Sequence, residues 1–107
     1  MSEISCEELN EKLKSKKKPF LLDVRTSEEY AKAHLEDSKL IPIQEFAERI
    51  NELPADKTTE IVVYCHYGGR STRVMQFMKT QGFTNVKSLE GGLSFWELRK
   101  LPMKCKL

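Results

Sequence analysis

Apolar residues are distributed along the chain in two ways, as short unbroken runs and as stripes with helical spacing. Four short, mostly apolar runs predict strands or extended segments, at 20–24, 40–43, 61–64 and 86–89. Runs without alternation are typical of strands that are covered on both faces of a sheet. The run at 61–64 predicts a strand most clearly, because all of its residues favour β structure and none is charged.

Two capping boxes mark where helices begin. Ser5 is followed three residues later by Glu8, and Thr26 is followed in the same way by Glu29. In such a box the hydroxyl caps the start of the helix and the carboxylate caps the preceding backbone N–H in return. The first helix is predicted to continue into the lysines at 16–18, and the second to end at about position 33.

Three further helices are predicted, mainly from apolar residues three or four positions apart. The positions that mark the helical period are Phe46 and Ile50 in the first, Val74, Phe77, Met78 and Gln81 in the second, and Leu93, Trp96 and Leu98 in the third, where Phe95 is also expected to pack in the core. Strands therefore alternate with helices. This order predicts an α/β fold, with a central, mostly parallel sheet and helices on both faces, in a single domain spanning residues 1–107.

Composition and charge narrow the range of partners. Of the 107 residues, 39% are hydrophobic and 32% are charged, as in soluble globular proteins. The formal net charge of +2 leaves little excess of basic residues, so nucleic acid is not an expected partner. No apolar run approaches the ~20 residues of a membrane span, and the start of the sequence lacks the apolar segment of a secretory signal. We therefore expect a cytoplasmic protein that does not bind membranes and is a monomer or a weak dimer.

The cysteines at positions 6, 65 and 105 differ in their sequence surroundings. Their number is odd and no two are close in sequence, which argues against a disulfide framework and against a metal-binding pair. Cys65 directly follows the strand predicted at 61–64, and the carboxyl end of a strand is a common position for a reactive side chain. Cys6, in the first turn of a helix, and Cys105, in a basic tail, are interpreted as thiols without a chemical role.

The segment that follows Cys65 has the composition of an anion-binding loop. In open α/β sheets, ligands bind beyond the carboxyl ends of the strands. Gly68 and Gly69 allow the backbone to curl so that N–H groups point inward, and the next helix adds the unpaired N–H groups of its first turn. Arg70 contributes a cation and Ser71 a hydroxyl donor. Such surroundings favour the thiolate of Cys65, which is the nucleophilic form.

Several polar residues near this loop have more than one interpretation. His66 is expected to contact a bound ligand without acting as a base, and Tyr67 is either a contact at the rim of the site or simply exposed. Asp23 and Arg25 are predicted to form a structural ion pair below the site. His34 is predicted to be a hydrogen-bonded structural histidine and not a catalytic base.

Several segments together resemble those of a single-domain rhodanese, a sulfurtransferase. They are Leu-Leu-Asp-Val-Arg-Thr at 21–26 with Glu-Glu-Tyr at 28–30, Ile-Val-Val-Tyr-Cys at 61–65, Gly-Arg-Ser at 69–71, and Leu-Glu-Gly-Gly at 89–92 with Trp96. They occur in family order and spacing over nearly the whole chain. The resemblance implies a rhodanese-like fold with Cys65 as the catalytic residue. The implied substrate-binding residues are His66, Tyr67, Gly68, Gly69, Arg70 and Ser71.

The resemblance also implies a mechanism and a set of partners. The Cys65 thiolate attacks the outer sulfur of thiosulfate or a similar donor, sulfite leaves, and a persulfide remains on the cysteine. Cyanide or a thiol then takes that sulfur. The implied partners are a small sulfur-donor anion and a thiol or protein sulfur acceptor, and no metal or organic cofactor is implied.

Proteins that resemble rhodaneses include three kinds that are not general sulfurtransferases. Phosphatases and arsenate reductases with this fold have five residues between the cysteine and the arginine of the loop, whereas this chain has four between Cys65 and Arg70, which favours sulfur transfer. Inactive rhodanese-like binding modules usually lack the cysteine or the loop, and this chain has both. A persulfide carrier that serves one partner protein has the same sequence features as a general sulfurtransferase.

Overall fold

A computed structural model of the protein describes residues 3–105, with the backbone alone at Cys105. The elements follow one another as β1 (Glu3–Ile4), α1 (Cys6–Lys14), β2 (Phe20–Asp23), α2 (Ser27–Lys32), β3 (Ala33–His34), β4 (Lys39–Leu40), α3 (Phe46–Arg49), β5 (Ile61–Tyr64), α4 (Gly69–Thr80), β6 (Val86–Leu89), α5 (Gly92–Leu98) and β7 (Lys104–Cys105). Short 3-10 turns at Ile43–Glu45 and Ile50–Glu52 flank α3.

The central sheet has five strands in the order β1-β6-β5-β2-β4, and all of its neighbouring pairs are parallel. Phe20 pairs with Ile61 and Asp23 with Tyr64 along the contact of β2 with β5. The predicted α/β fold is therefore confirmed. Strand β5 lies in the middle, so the residue that follows it sits at the centre of the carboxyl edge of the sheet.

Neighbouring residues of the central strands supply two separate cores, because successive side chains of a strand point to opposite faces. On one face, Leu22 and Val63 belong to a buried cluster with Val74 of α4 and with Phe46 of α3. On the other, Leu21 and Val62 belong to a cluster built with α1 and α5. Helices thus cover both faces of the sheet, which explains why the run at 61–64 is apolar throughout and why Asp23 is the only charged residue of the run at 20–24.

Both capping boxes are present as predicted. The Ser5 hydroxyl accepts from the Glu8 backbone N–H at 3.1 Å, and the Thr26 hydroxyl accepts from that of Glu29 at 3.2 Å. The prediction that the first helix continues into the lysines at 16–18 was wrong. The helix ends at Lys14, because the hydroxyl and the N–H of the next residue, Ser15, both turn back to bond a single carbonyl.

The segment from 40 to 53 is less regular than the sequence predicts. Only the start of the extended segment 40–43 pairs as a strand, and a 3-10 turn begins at Ile43. The helix around Phe46 is a single α turn between two 3-10 turns.

Phe77 and Leu98 belong to predicted helical stripes but remain 38% and 76% exposed.

Three two-residue strands were not predicted. β1 extends the sheet at one edge, and β3 pairs with β7 in a separate antiparallel ribbon. Strands this short have no periodicity that a sequence pattern can reveal. The ribbon joins the segment after α5 to the end of α2, so Lys104 and Cys105 lie in a paired strand and not in a loose tail. No helix in residues 3–105 is long and apolar enough to span a membrane.

Candidate active site

Cys65 lies at the carboxyl end of β5, at the floor of a tight loop that leads into α4. The strand before it is buried at every position, and Cys65 itself is 1% exposed. Gly68 has a φ of 110°, a conformation that L side chains rarely adopt, and it forms the N-cap of α4. The chain thereby reverses direction above the sulfur, and the start of the helix faces it.

Two backbone amides donate hydrogen bonds to the sulfur. The N–H of Gly68 lies 3.0 Å from Cys65 Sγ, and the N–H of Ser71 lies 3.4 Å from it. Both groups belong to the N-terminal end of α4, where N–H groups lack helical partners and the helix dipole is positive. The loop predicted from the sequence to be an anion cradle thus brings Gly68, Ser71 and Cys65 together.

The Ser71 hydroxyl makes shorter hydrogen bonds to the loop and to β6 than to the sulfur of Cys65. Its Oγ lies 3.6 Å from Cys65 Sγ, donates to the Gly68 carbonyl at 3.1 Å, and shares a 2.7 Å hydrogen bond with Ser88 on β6. The Thr72 hydroxyl donates to the same Gly68 carbonyl at 2.8 Å. The hydroxyls of this network therefore hold the turn at Gly68 closed over the cysteine.

The start of α5 supports the loop from the other side. The N–H of Leu93 donates to the Cys65 carbonyl, and the N–H of Ser94 donates to the His66 carbonyl, both at 2.9 Å. This approach requires a glycine, because a Cβ built at Gly92 would lie 2.4 Å from the Cys65 carbonyl oxygen. The sequence predicts a turn at 91–92, but the contact between that turn and the loop becomes visible only in the structure.

Arg70 has a partner that the sequence analysis did not identify. Its guanidinium donates to both carboxylate oxygens of Glu29, at 2.8 and 3.1 Å. These hydrogen bonds raise the pKa of Arg70 and lower the pKa of Glu29 to about 2. Arg70 is therefore held in an ion pair beside the loop, with each side chain 33% exposed. Glu29 is 41 positions away in sequence, and its recognised role in a capping box gave no indication of this contact.

His66 and Tyr67 form the outer part of the loop. Their rings meet edge to face with centroids 4.2 Å apart. Tyr67 is 75% exposed, so it stands at the rim, while His66 is half-buried. Gly69 begins α4 and has open space where a side chain would project.

The Asp23–Arg25 pair is structural, as predicted. Asp23 is fully buried, and its carboxylate accepts from the Arg25 backbone and guanidinium at distances between 2.7 and 3.1 Å. Burial disfavours the charge of Arg25, but the hydrogen bonds with Asp23 outweigh burial and raise its pKa. A further bond of 2.7 Å to the Ala33 carbonyl ties the pair to the end of α2.

His34 is also in a structural setting. Its Nδ1 donates to the Tyr30 carbonyl at 2.8 Å, and its ring stacks on that of Tyr30 at 3.8 Å.

Cys6 is buried, and burial raises the pKa of its thiol, which is the condition of an unreactive cysteine. Trp96 is in the core as expected, whereas the same expectation for Phe95 was wrong: its ring lies over Gly91 and is 38% exposed.

Comparison with known proteins identifies the family. The family model of the rhodanese-like domain matches residues 5–99. A solved structure of a rhodanese-related protein from Thermoplasma volcanium superposes with a TM-score of 0.88 at 28% identity, covering 99% of this chain and all of the other. The chain belongs to the rhodanese-like domain family.

Curated relatives include both enzymes and a carrier. A sulfurtransferase from Allochromatium vinosum is 31% identical, with 96% of this chain and 94% of that protein covered. The thiosulfate sulfurtransferase GlpE of Actinobacillus pleuropneumoniae is 31% identical over 78% of this chain and 76% of its own. YrkF of Bacillus subtilis, named as a sulfur carrier, is 40% identical over 88% of this chain, which spans only 50% of that longer protein. Relatives of the same size as this chain are thus named for sulfur transfer.

Proposed function

We propose that this protein is a sulfurtransferase that carries a sulfane sulfur as a persulfide on Cys65. The observation that carries the proposal is the pair of amide hydrogen bonds from Gly68 and Ser71 to the buried sulfur. Donors arranged in this way stabilise a sulfur anion, which is the form of the cysteine both before and after it accepts a sulfur atom. The family and the named activity of GlpE support thiosulfate as one donor.

The first half-reaction loads the cysteine. The Cys65 thiolate attacks the outer sulfur of thiosulfate, a new S–S bond forms, and the original S–S bond breaks with its electron pair leaving on sulfite. The charge of three negative units is the same before and after the step. The amides of Gly68 and Ser71, 3.0 and 3.4 Å from Sγ, are already in place, so little of the loop has to reorganise.

The second half-reaction returns the sulfur. A nucleophilic acceptor, cyanide or a thiolate, attacks the outer sulfur of the persulfide, and Cys65 leaves as a thiolate in its original place. Donor and acceptor use the site in turn, so the kinetics are ping-pong. The hydrogen bonds from the start of α5 to the carbonyls of Cys65 and His66, which together we call the clamp, keep the floor of the site fixed while ligands exchange.

The surrounding residues have separate roles in this scheme. Gly68 permits the sharp turn, and Ser71 anchors it through Ser88. His66 and Tyr67 form the rim that a donor or acceptor meets first. Arg70 lies beside the loop in its ion pair with Glu29. The enzyme acts in the cytoplasm, and its acceptor is a thiol, either small or on a protein.

A dedicated persulfide carrier is the second candidate, and the similarity to YrkF favours it. A carrier loads Cys65 by the same first step but releases the sulfur slowly unless its own partner is present. The two candidates differ in turnover with a small acceptor. Multiple turnovers with thiosulfate and cyanide support the general enzyme, and rapid loading of one sulfur without turnover supports the carrier.

Replacement of the cysteine tests the proposal. Cys65→Ser should reduce thiocyanate release from thiosulfate and cyanide to the rate without protein, because a hydroxyl cannot carry a sulfane sulfur. Cys6→Ala and Cys105→Ser are the matched controls and should keep most of the activity. Thermal unfolding followed by circular dichroism verifies that each variant is folded. Activity that survives in folded Cys65→Ser, or hydrolysis of an aryl phosphate by the wild type without sulfur uptake, would contradict the assignment.

A further inference from the structure

We propose that Glu29 is a specificity-determining residue that neutralises Arg70 and thereby makes the site discriminate against doubly charged sulfur donors in favour of organic persulfides. The proposal rests on the proposed function, because it concerns which donor loads Cys65. In the loop that follows Cys65, the cation Arg70 contacts the carboxylate of Glu29 on α2.

The Glu29 carboxylate is held in place from several directions. Besides the two hydrogen bonds from Arg70, its Oε1 accepts from the Thr26 backbone N–H at 3.0 Å and from the Thr26 hydroxyl at 3.2 Å. Glu29 is thus anchored at the start of α2 whether or not a ligand is present. Arg70 extends to this fixed carboxylate, and the bidentate geometry uses both of its terminal nitrogens.

The ion pair changes the charge that a donor meets. The Cys65 thiolate repels any anion, and a free guanidinium beside it offsets that repulsion. With Glu29 ionised next to Arg70, the pair has no net charge and the loop offers mainly the dipoles of its amides. A dianion such as thiosulfate is repelled by the thiolate about twice as strongly as a persulfide with one charge at the same distance.

The rim is suited to a donor with an organic group. Tyr67 is 75% exposed at the tip of the loop, and Phe95, 38% exposed, lies over Gly91. Gly91 adjoins the loop, because a Cβ built at Gly68 would lie 4.0 Å from the Gly91 nitrogen. Two aromatic rings therefore stand near the turn that covers the sulfur. A persulfide R–S–S⁻ with an apolar R group has surface to place against such rings.

Transfer from such a donor balances without a further reagent. The Cys65 thiolate attacks the terminal sulfur of R–S–S⁻, the new S–S bond forms, and the old one breaks with its electron pair leaving on the thiolate R–S⁻. The two negative charges are conserved. The leaving group is an organic thiolate, whereas thiosulfate releases sulfite with two charges.

The test compares two donors in two charge-matched variants. Glu29→Gln keeps a side chain that completes a capping box but removes the charge facing Arg70. Glu28→Gln makes the same change in net charge one position away, on an exposed residue. The second-order rate constant for loading Cys65 is measured at low ionic strength with thiosulfate and with benzyl persulfide, by quenching with an alkylating agent and recording the intact mass.

In Glu29→Gln, the ratio of the thiosulfate constant to the benzyl persulfide constant should rise roughly threefold or more, and the rise should shrink at high salt. Glu28→Gln should leave the ratio near that of the wild type. A ratio in Glu29→Gln that is unchanged, or that falls, would overturn the proposal. A fall would indicate that Glu29 holds Arg70 in place to bind thiosulfate.

The wild type provides a second test that does not depend on how a variant folds. If Arg70 is neutralised, added salt screens repulsion between thiosulfate and the thiolate, so loading should stay constant or become faster as ionic strength rises. A steep decrease with salt would show an unpaired cation at the site and overturn the proposal. Loading of Cys65 by either donor supports the proposed function independently, and failure of both donors to load it contradicts that function.

Discussion

Two carboxylate–guanidinium pairs lie near the carboxyl ends of β2 and β5, and they differ mainly in burial. In the Asp23–Arg25 pair the side chains are 0% and 4% exposed, and in the Glu29–Arg70 pair both are 33% exposed. Asp23 and Arg25 are two residues apart, whereas Glu29 and Arg70 join the helix α2 to the loop that covers Cys65. The same chemical pairing thus occurs once within the interior and once at the edge of the site.

Because the two pairs differ in burial, removing one partner is expected to have different effects in each. Loss of one charge from a buried pair leaves the other without solvent, whereas an exposed partner is rehydrated. The Asp23–Arg25 pair is therefore part of the fold. The Glu29–Arg70 pair can be altered at small cost in stability, and its effect is expected on the charge of the site.

Removal of the buried carboxylate should have the largest effect on stability. Asp23→Asn leaves the Arg25 guanidinium buried without its counter-charge and should lower the free energy of unfolding by about 3–5 kcal/mol. Urea unfolding at pH 7 measures the change. Glu29→Gln is the comparison, with an expected loss of at most about 1 kcal/mol. Equal losses in the two variants would show that burial does not separate the pairs.

A glycine replacement tests the support of the loop without changing any charge. Gly92→Ala should cost about 2–4 kcal/mol, because its φ is positive and its Cβ would overlap the Cys65 carbonyl. Gly69→Ala is matched in chemistry and should change stability by less than about 1 kcal/mol, since nothing lies within 4 Å of a Cβ there. Equal unfolding midpoints for the two variants would contradict the clamp between α5 and the loop.

Acid should affect the exposed pair in a defined window of pH. Because the folded pKa of Glu29 is lowered to about 2, its contribution to stability is present above its unfolded pKa of about 4.3 and is lost as the pH falls from there towards about 2. The urea midpoint of the wild type should therefore drop more across this window than that of Glu29→Gln. Other carboxylates titrate in both proteins, so the difference between the curves isolates Glu29. Parallel curves would show that the pair does not stabilise the ionised form.

Local signals in the sequence accounted for the elements that carry the site. The run at 61–64 located the central strand, the pairs Ser5–Glu8 and Thr26–Glu29 located two helix starts, and the residues after Cys65 indicated a loop whose amides face a sulfur. These features depend on neighbours within a few positions, which is the range that sequence patterns report.

Local sequence patterns do not report contacts between segments that are distant along the chain. The partner of Arg70 is 41 positions away, and the clamp on the Cys65 carbonyl comes from the N–H of Leu93. Glu29 had an assigned local role, so its second role had no separate signal. In the short helix α5, spacing alone did not show that Phe95 and Leu98 face outward, because a helix of two turns leaves several choices of buried face.

Intact mass after treatment with thiosulfate tests the central claim most directly. The protein should gain the mass of one sulfur atom, the added sulfur should map to Cys65 by peptide analysis, and both cyanide and a reducing thiol should remove it. Cys65→Ser should gain nothing under the same conditions, while Cys6→Ala should load as the wild type does. A wild-type protein that takes up no sulfur from thiosulfate or from benzyl persulfide, or that takes it up on Cys6 or Cys105, would contradict a persulfide on Cys65 as the working intermediate.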